Sequence, residues 1–312
     1  MTAQAPFFAD VADGPADGAA FWLTTRDGVR IRAGLWNGAG PRGTVFLLPG
    51  RTEYVEKYGR SAQYLAQAGW ATLSVDWRGQ GLADKALKDP MTGHVGDFAE
   101  FQVDMAALLG FAEARALPRP WVMLAHSMGG CIGLRSLVEG LPFASAAFSA
   151  PMWGILMAEW MRPFAHVLSA SSRLLGFQHV YAPGTKRSTY VLAEPFAGNN
   201  LTKDEDMWNY MRNQALAHPE LALGGPSLGW LHTALAECRA LAAKPSPAYP
   251  TICALGTDEK IVDTRPIHDR MGRWPGGRLD MYSGAEHEVL MERPATRSAF
   301  LDSAIALFEA HR

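Results

Sequence analysis

The sequence predicts an α/β fold: an eight-stranded, mostly parallel sheet with helices on both faces and a helical segment inserted into it. Three observations lead there. Short apolar runs alternate with longer amphipathic helical patterns along most of the 312 residues, which is the rhythm of parallel strands joined by covering helices. One of these runs passes into a serine with Ala two residues before it and Gly two after, and then directly into a helical pattern. Between Pro151 and about Leu231 the rhythm fails, with no convincing buried strand and a series of Met and Trp instead.

The runs read as strands are 21–25, 29–36, 44–48, 71–75, 121–125, 145–149, 251–255 and 278–282. Arg26-Asp27-Gly28 separates the first two and carries the Asp-Gly turn signature, so they are expected to pair as an antiparallel hairpin. Helical patterns fall near 59–68, 97–115, 128–139, 264–271 and 297–310. The interruption divides the chain into a discontinuous catalytic domain, 1–150 with 232–312, and an insertion at 151–231. The plain reading of that insertion is a helical unit with its own small core. The sharper one adds a ligand-facing apolar wall, with Trp153, Met157 and Trp230 as candidate lining residues, because Met and aromatic side chains suit an adaptable pocket.

Composition removes several classes. The 29 basic and 31 acidic residues nearly cancel, giving no general electrostatic reason to bind nucleic acid. Three cysteines, none in a CxxC pair, fit neither a disulfide framework nor a Cys-rich zinc site and point to a reducing, cytoplasmic setting. The N-terminal segment lacks the basic and apolar regions of a signal peptide. Residues 140–158 carry no charge but are broken by Pro142, Pro151 and Gly154, so no transmembrane span is expected, although transient contact with a lipid surface is compatible with the pattern. Oligomeric state is not legible.

The chemistry is read from four loops. Strand 121–125 runs into His126-Ser127-Met128-Gly129-Gly130, the strand–turn–helix setting of a nucleophile elbow. Ala125 stands where the G-x-S-x-G pattern has its first Gly, a departure of one methyl group. Gly225-Pro226-Ser227-Leu228-Gly229 matches the same pattern literally, but no apolar strand precedes it. Ser227 is therefore expected to be a turn residue of the insertion, with a substrate-side role as the alternative. Oxyanion donors are expected from the backbone amides of Met128, after the nucleophile, and Arg51, in the loop after strand 44–48. The Arg51 side chain is expected either to pair with Glu53 or Glu56 or to meet an anionic substrate group. The strand 251–255 ends near Asp258, and 278–282 is followed by His287. These are the expected acid and base, in the chain order Ser, acid, His, with Asp263 as the competing acid. His126 is read as packing or pocket support.

With those pieces in place the chain resembles the α/β-hydrolase superfamily, in its monoacylglycerol lipase and lysophospholipase branch. The likeness spans about residues 20–310 and rests on PGRTEYVEKYGR, DWRGQGLADK, AHSMGG, GTDEKIVD and SGAEHEVLMER, in family order. Glu53 and Tyr58 fall on the Glu and Tyr of the lipases' HGxGEHxxRY-type motif, with Pro49 in place of its His. Asp76, Arg78, Gly79 and Gly81 match DxRGxGxS, with Ala83 in place of its Ser.

The resemblance implies a catalytic set of Ser127, Asp258 and His287, oxyanion amides at Arg51 and Met128, and a cap at 151–231 shaping an acyl pocket. Glu53, Trp153, Met157, Ser227 and Trp230 are the candidate substrate-binding residues. The expected activity is serine ester hydrolysis of a monoacyl lipid, a monoglyceride or lysophospholipid, with no metal or organic cofactor. Two alternatives stay open. One is a proline-iminopeptidase-like aminopeptidase, which would need cap carboxylates such as Glu159, Glu194, Glu205 or Asp206 to hold a substrate amine. The other is a non-catalytic ligand receptor on the same fold.

Overall fold

The computed structural model describes residues 3–157, 171–172 and 175–312. The insertion's Glu159, Trp160, Met161, Phe164 and Leu168 lie outside the described residues. The sheet has nine strands: β1 (Gln4–Ala5), β2 (Ala19–Thr24), β3 (Arg30–Trp36), β4 (Thr44–Leu48), β5 (Ala71–Asp76), β6 (Trp121–His126), β7 (Ala146–Ser149), β8 (Thr251–Gly256) and β9 (Gly277–Tyr282). Their spatial order is β1-β2-β3-β5-β4-β6-β7-β8-β9. All eight runs read from the sequence are strands. The ninth, β1, is two residues long, too short to leave an alternation in the sequence, and pairs antiparallel on the edge of β2.

The β2–β3 hairpin is antiparallel with Thr24 opposite Arg30. It closes through Gly28 at φ 82°, a left-handed geometry that glycine adopts without strain. From β5 to β9 every pairing is parallel. The central strands β4, β6 and β8 are buried at every position, which is why they read as unbroken apolar runs rather than alternating ones.

The helices of eight residues or more among the described residues are α1 (Gly59–Gln67), α2 (Glu100–Ala114), α3 (Ser127–Val138), α4 (Glu205–Ala217), α5 (Leu228–Ala242), α6 (Thr264–Met271) and α7 (Pro294–Ala310). One core, with Phe46, Met123, Phe148 and Trp153, lies on one face of the sheet. A second, with Tyr58, Trp70, Val122 and Phe308, fills the other. Both α4 and α5 arise in or beside the interruption. α5 is tied to α3 by Arg135, whose guanidinium makes two hydrogen bonds to the Glu237 carboxylate at 2.8 and 2.7 Å. No helix among the described residues is long and apolar enough to cross a membrane.

Residues 152–154 are fastened to the turn at Ser127 and to the loop after β8. Met152 N–H donates to the Ser127 carbonyl at 2.8 Å and Asp263 N–H to the Gly154 carbonyl at 3.0 Å. Trp153 Nε1 donates to the Gly130 carbonyl at 3.1 Å.

Candidate active site

β6 delivers Ser127 to the start of α3 in a left-handed conformation, φ 48°. A non-glycine residue there carries roughly 1–2 kcal/mol of strain. The turn is held because α3 crosses hard against β4: a Cβ on Gly129 would stand 2.2 Å from the Leu48 carbonyl oxygen. Ala125, by contrast, is wholly buried at the end of β6 with its methyl accommodated, so the departure from G-x-S-x-G leaves the elbow intact.

Ser127 Oγ lies 3.0 Å from His287 Nε2. On the far side of the ring, Nδ1 lies 2.6 Å from Glu259 Oε2. The acid in the array is thus Glu259 and not Asp258. β8 ends at Gly256, and the next turn sends the Asp258 side chain outward, where it is 40% exposed and 3.5 Å from Lys203 Nζ. Glu259 turns inward, is 1% exposed, and has its second oxygen held by the Ile261 and Val262 amides at 2.5 and 3.0 Å. Asp263, the competing acid, instead caps α6, accepting from Arg265 N–H at 3.2 Å.

Burial of His287 disfavours its charged form, but the Glu259 carboxylate beside it outweighs that and raises its pKa above the ordinary 6.5. Burial likewise works against ionised Glu259, and the imidazole with the two amides holds its pKa below the usual value. A base must be neutral, so the neutral fraction of His287 grows as pH rises through this raised pKa. A pH profile of kcat/KM is expected to climb through one ionisation above pH 6.5. An acid limb below 6.5 would contradict the pairing. His126 adds no second limb: burial, the largest cause, pushes it down to about 3. Its Nδ1 sits 3.0 Å from the Ser149 carbonyl, so it is packed support, as expected.

The loop carrying Arg51 is clamped from below. Trp77 Nε1 donates to the Pro49 carbonyl at 2.9 Å, Gln80 Nε2 to the Gly50 carbonyl at 3.0 Å, and Thr52 N–H to Gln80 Oε1 at 2.9 Å. Thr52 itself is left-handed, φ 66°. Glu53 Oε2 accepts from Gly50 N–H and from Tyr58 at 2.5 Å, and Oε1 accepts from Lys57 at 2.7 Å. Lys57 also bonds Glu288, next to the base. Its buried ammonium therefore couples the Arg51 loop to the His287 loop. Burial alone would lower the Lys57 pKa, but Glu288 and Glu53 raise it. Glu53, His126 and Glu288 bring metal-type ligand atoms close together, yet the Lys57 ammonium already supplies the positive charge between the two carboxylates. Met128, second residue of α3, presents a first-turn amide with no helical carbonyl to bond.

Ser127, His287 and Arg51 border a cavity of about 690 Å³. Met157 and Trp230 line it, with Leu156, Ile155, Met211 and Leu228 among the other apolar walls. Two pocket expectations need correction. Trp153 does not reach this cavity; it is core, stacked on Trp274 at 6.0 Å and edge-on to Phe148 at 5.2 Å. Ser227 is wholly buried. It caps α5 by accepting from Trp230 N–H at 3.0 Å and lies 2.7 Å from His94 Nδ1, so it is a turn residue and not a substrate contact. Glu53 borders the cavity, but its carboxylate is fully occupied by Lys57, Tyr58 and Gly50. The Arg51 side chain pairs with neither Glu53 nor Glu56, since Glu56 is bound by Arg32 at 2.7 Å.

Sequence reasoning missed Glu259, Trp77, Gln80, Lys57 and Glu288. Adjacent carboxylates in Asp258-Glu259 were the available signal for the first, but nothing in the string says which of the two points inward.

The model of the family described as "Serine aminopeptidase, S33" matches residues 39–294. Lysophospholipase L2 of Escherichia coli is 34% identical over 280 residues, covering 86% of this chain and 80% of that protein. A monoacylglycerol lipase of Mycolicibacterium smegmatis is 35% identical over 277 residues, covering 85% and 88%. Among solved structures, a soluble variant of the Saccharomyces cerevisiae monoglyceride lipase in complex with a substrate analog has the same fold. Its TM-score is 0.72 at 19% identity, covering 93% of this chain and 95% of that one. A carboxyl esterase from Bacillus coagulans in complex with glycerol gives a TM-score of 0.73 at 14% identity, covering 94% and 98%. The chain belongs to the serine aminopeptidase S33 family of α/β-hydrolases, as a member similar to its monoacylglycerol lipases and lysophospholipases.

Proposed function

We propose that this protein is a serine ester hydrolase acting on monoacyl lipids through an acyl-enzyme. The observation that carries the reading is the continuous array Ser127–His287–Glu259 opening on a mainly apolar cavity. Ser127 Oγ attacks the ester carbonyl while His287 Nε2 takes its proton. Charge developing on the carbonyl oxygen is met by the Arg51 and Met128 amides, each worth on the order of 3–4 kcal/mol in the transition state. The imidazolium, held by Glu259, then protonates the departing alcohol. Water repeats the sequence on the acyl-enzyme and releases the fatty acid.

Residues 151–231 act in this reading as a cap whose inner side forms the acyl wall. Leu156, Leu175, Val180 and Leu192 expose apolar side chains there, which supports transient contact with a lipid surface. Three buried, free cysteines, Cys131, Cys238 and Cys253, fit a reducing, cytoplasmic setting.

The aminopeptidase alternative needs a carboxylate for a substrate amine. Glu194 and Glu205 are exposed, Asp206 pairs with Arg60 at 2.5 Å, and none of the three borders the cavity. A series of p-nitrophenyl acyl esters is expected to be hydrolysed while a proline anilide is not. Turnover of the anilide without esterase activity would overturn the ester reading.

A further inference from the structure

Arg51 differs from the other sequestered arginines. Arg32 is neutralised by Glu56 and Asp76, Arg78 by Asp27, Glu100 and Asp104, and Arg135 by Glu237. Arg270 serves the C-terminal carbonyl of Leu241 on α5. Arg51 borders the catalytic cavity, and among the described residues its guanidinium makes one hydrogen bond, from Nη1 to the Gly224 carbonyl at 2.8 Å. The Trp230 ring flanks it at 5.7 Å. Among the described residues no carboxylate pairs with it. Burial lowers its pKa to about 10, which leaves it cationic at neutral pH.

A guanidinium carries five N–H donors in a planar fork, and a desolvated cation without a counter-charge is costly. Here most of the fork remains for a ligand. The two remaining cavity carboxylates, Glu53 and Glu288, are already joined to Lys57 and do not compete for it. The position is also informative. Arg51 offers its backbone amide to the reacting carbonyl in the mechanism above, so its side chain leaves the chain beside the scissile ester. A glycerol-linked phosphate lies only a few bonds beyond that ester. An uncharged glycerol headgroup would leave the guanidinium without a counter-ion.

We propose that Arg51 is the residue that recognises an anionic phosphodiester headgroup, so that the preferred monoacyl lipid is a lysophospholipid and not a monoglyceride. Fork-to-phosphate geometry is the arrangement in which Arg outperforms Lys. Trp230 and Gly224 hold the fork in place for that contact. The proposal rests on the monoacyl-ester reading and is tested so that the two can fail separately.

The full chain is assayed on 1-acyl-glycerophosphoglycerol and on the 1-monoacylglycerol of the same acyl length, below their aggregation concentrations. The readout is the ratio of the two kcat/KM values, with active sites counted by fluorophosphonate labelling. The wild-type protein is expected to favour the phosphate-bearing lipid. Arg51→Gln is expected to reduce the ratio by roughly ten- to hundredfold, the range for a hydrogen bond to a charged group, and Arg51→Lys to restore part of it. An unchanged ratio in Arg51→Gln overturns the proposal and leaves the ester reading standing. Failure of the wild-type protein to hydrolyse either lipid overturns both.

A second measurement needs no variant. Glycerol 3-phosphate is expected to inhibit p-nitrophenyl ester hydrolysis by the wild-type protein competitively and more strongly than glycerol, with inhibition weakening as salt rises. Equal inhibition by the two would count against the assignment.

Discussion

Ser127→Ala is expected to lower kcat on acyl esters by a factor on the order of 10⁶, the loss seen when a triad nucleophile is removed. It should also abolish fluorophosphonate labelling. The fold should survive, because among the described residues the Ser127 hydroxyl is bonded only to His287 Nε2 and the backbone at 127 keeps its position against Met152. Ser127→Gly separates chemistry from strain. It is expected to be equally inactive, yet glycine accepts φ 48° without the penalty that serine carries. Relief of roughly 1–2 kcal/mol, less the extra freedom glycine gains when unfolded, leaves a net gain near 1 kcal/mol, measurable as a higher Tm. A Ser127→Ala protein retaining about one per cent of activity or more would remove this serine from the nucleophile role.

The second large effect concerns the acid. Glu259→Gln is expected to lower kcat by about 10³–10⁴-fold, because the neutral amide no longer fixes the tautomer of His287 or stabilises its imidazolium. It should also shift the acid limb of the pH profile downward, since the carboxylate that raises the imidazole pKa is gone. Asp258→Asn should change kcat by less than about twofold, as it weakens only solvent-exposed contacts with Lys203 and Thr257. Steady-state kinetics of the two variants on one p-nitrophenyl ester decides the matter. A larger loss for Asp258→Asn would return the acid to the position that the chain order alone suggested.

That reversal shows where sequence reading stops. The buried strands were legible because full burial writes itself as unbroken apolar runs. Ser127 and His287 were legible because each sits at a strand end with a recognisable turn. For the acid, the chain order points to a short loop but to Asp258 and not to its neighbour Glu259, which bonds His287. The choice between Asp258 and Glu259 depends on the direction of a turn, and the deciding partners are backbone amides at 261 and 262, which have no letter in the sequence. Context makes Ser227 a turn residue and not a nucleophile, but that it caps a helix beside His94, with no place in the cavity, is not written in the sequence. Trp153 looked like pocket lining because aromatic content does not encode which side of the chain faces the cavity. The freedom of Arg51 was the least legible of all, since it follows from Glu53 and Glu56 being claimed by other cations.

The anchoring of residues 152–154 has a consequence for how such proteins diversify. Met152 and Gly154 are bonded to the backbones of Ser127 and Asp263, so the rim nearest the nucleophile belongs mechanically to the sheet. At the other end, Ser227 closes the segment by starting α5, and α5 is bolted to the nucleophile helix through Arg135 and Glu237. Between these two ends the stretch is tied a third time, for His287 N–H donates to the Asn200 carbonyl at 3.3 Å and Glu288 N–H to the Leu201 carbonyl at 2.8 Å. A graft that brings a new taste in substrate must therefore reproduce the carbonyls at 200 and 201, or it displaces the base together with the pocket wall.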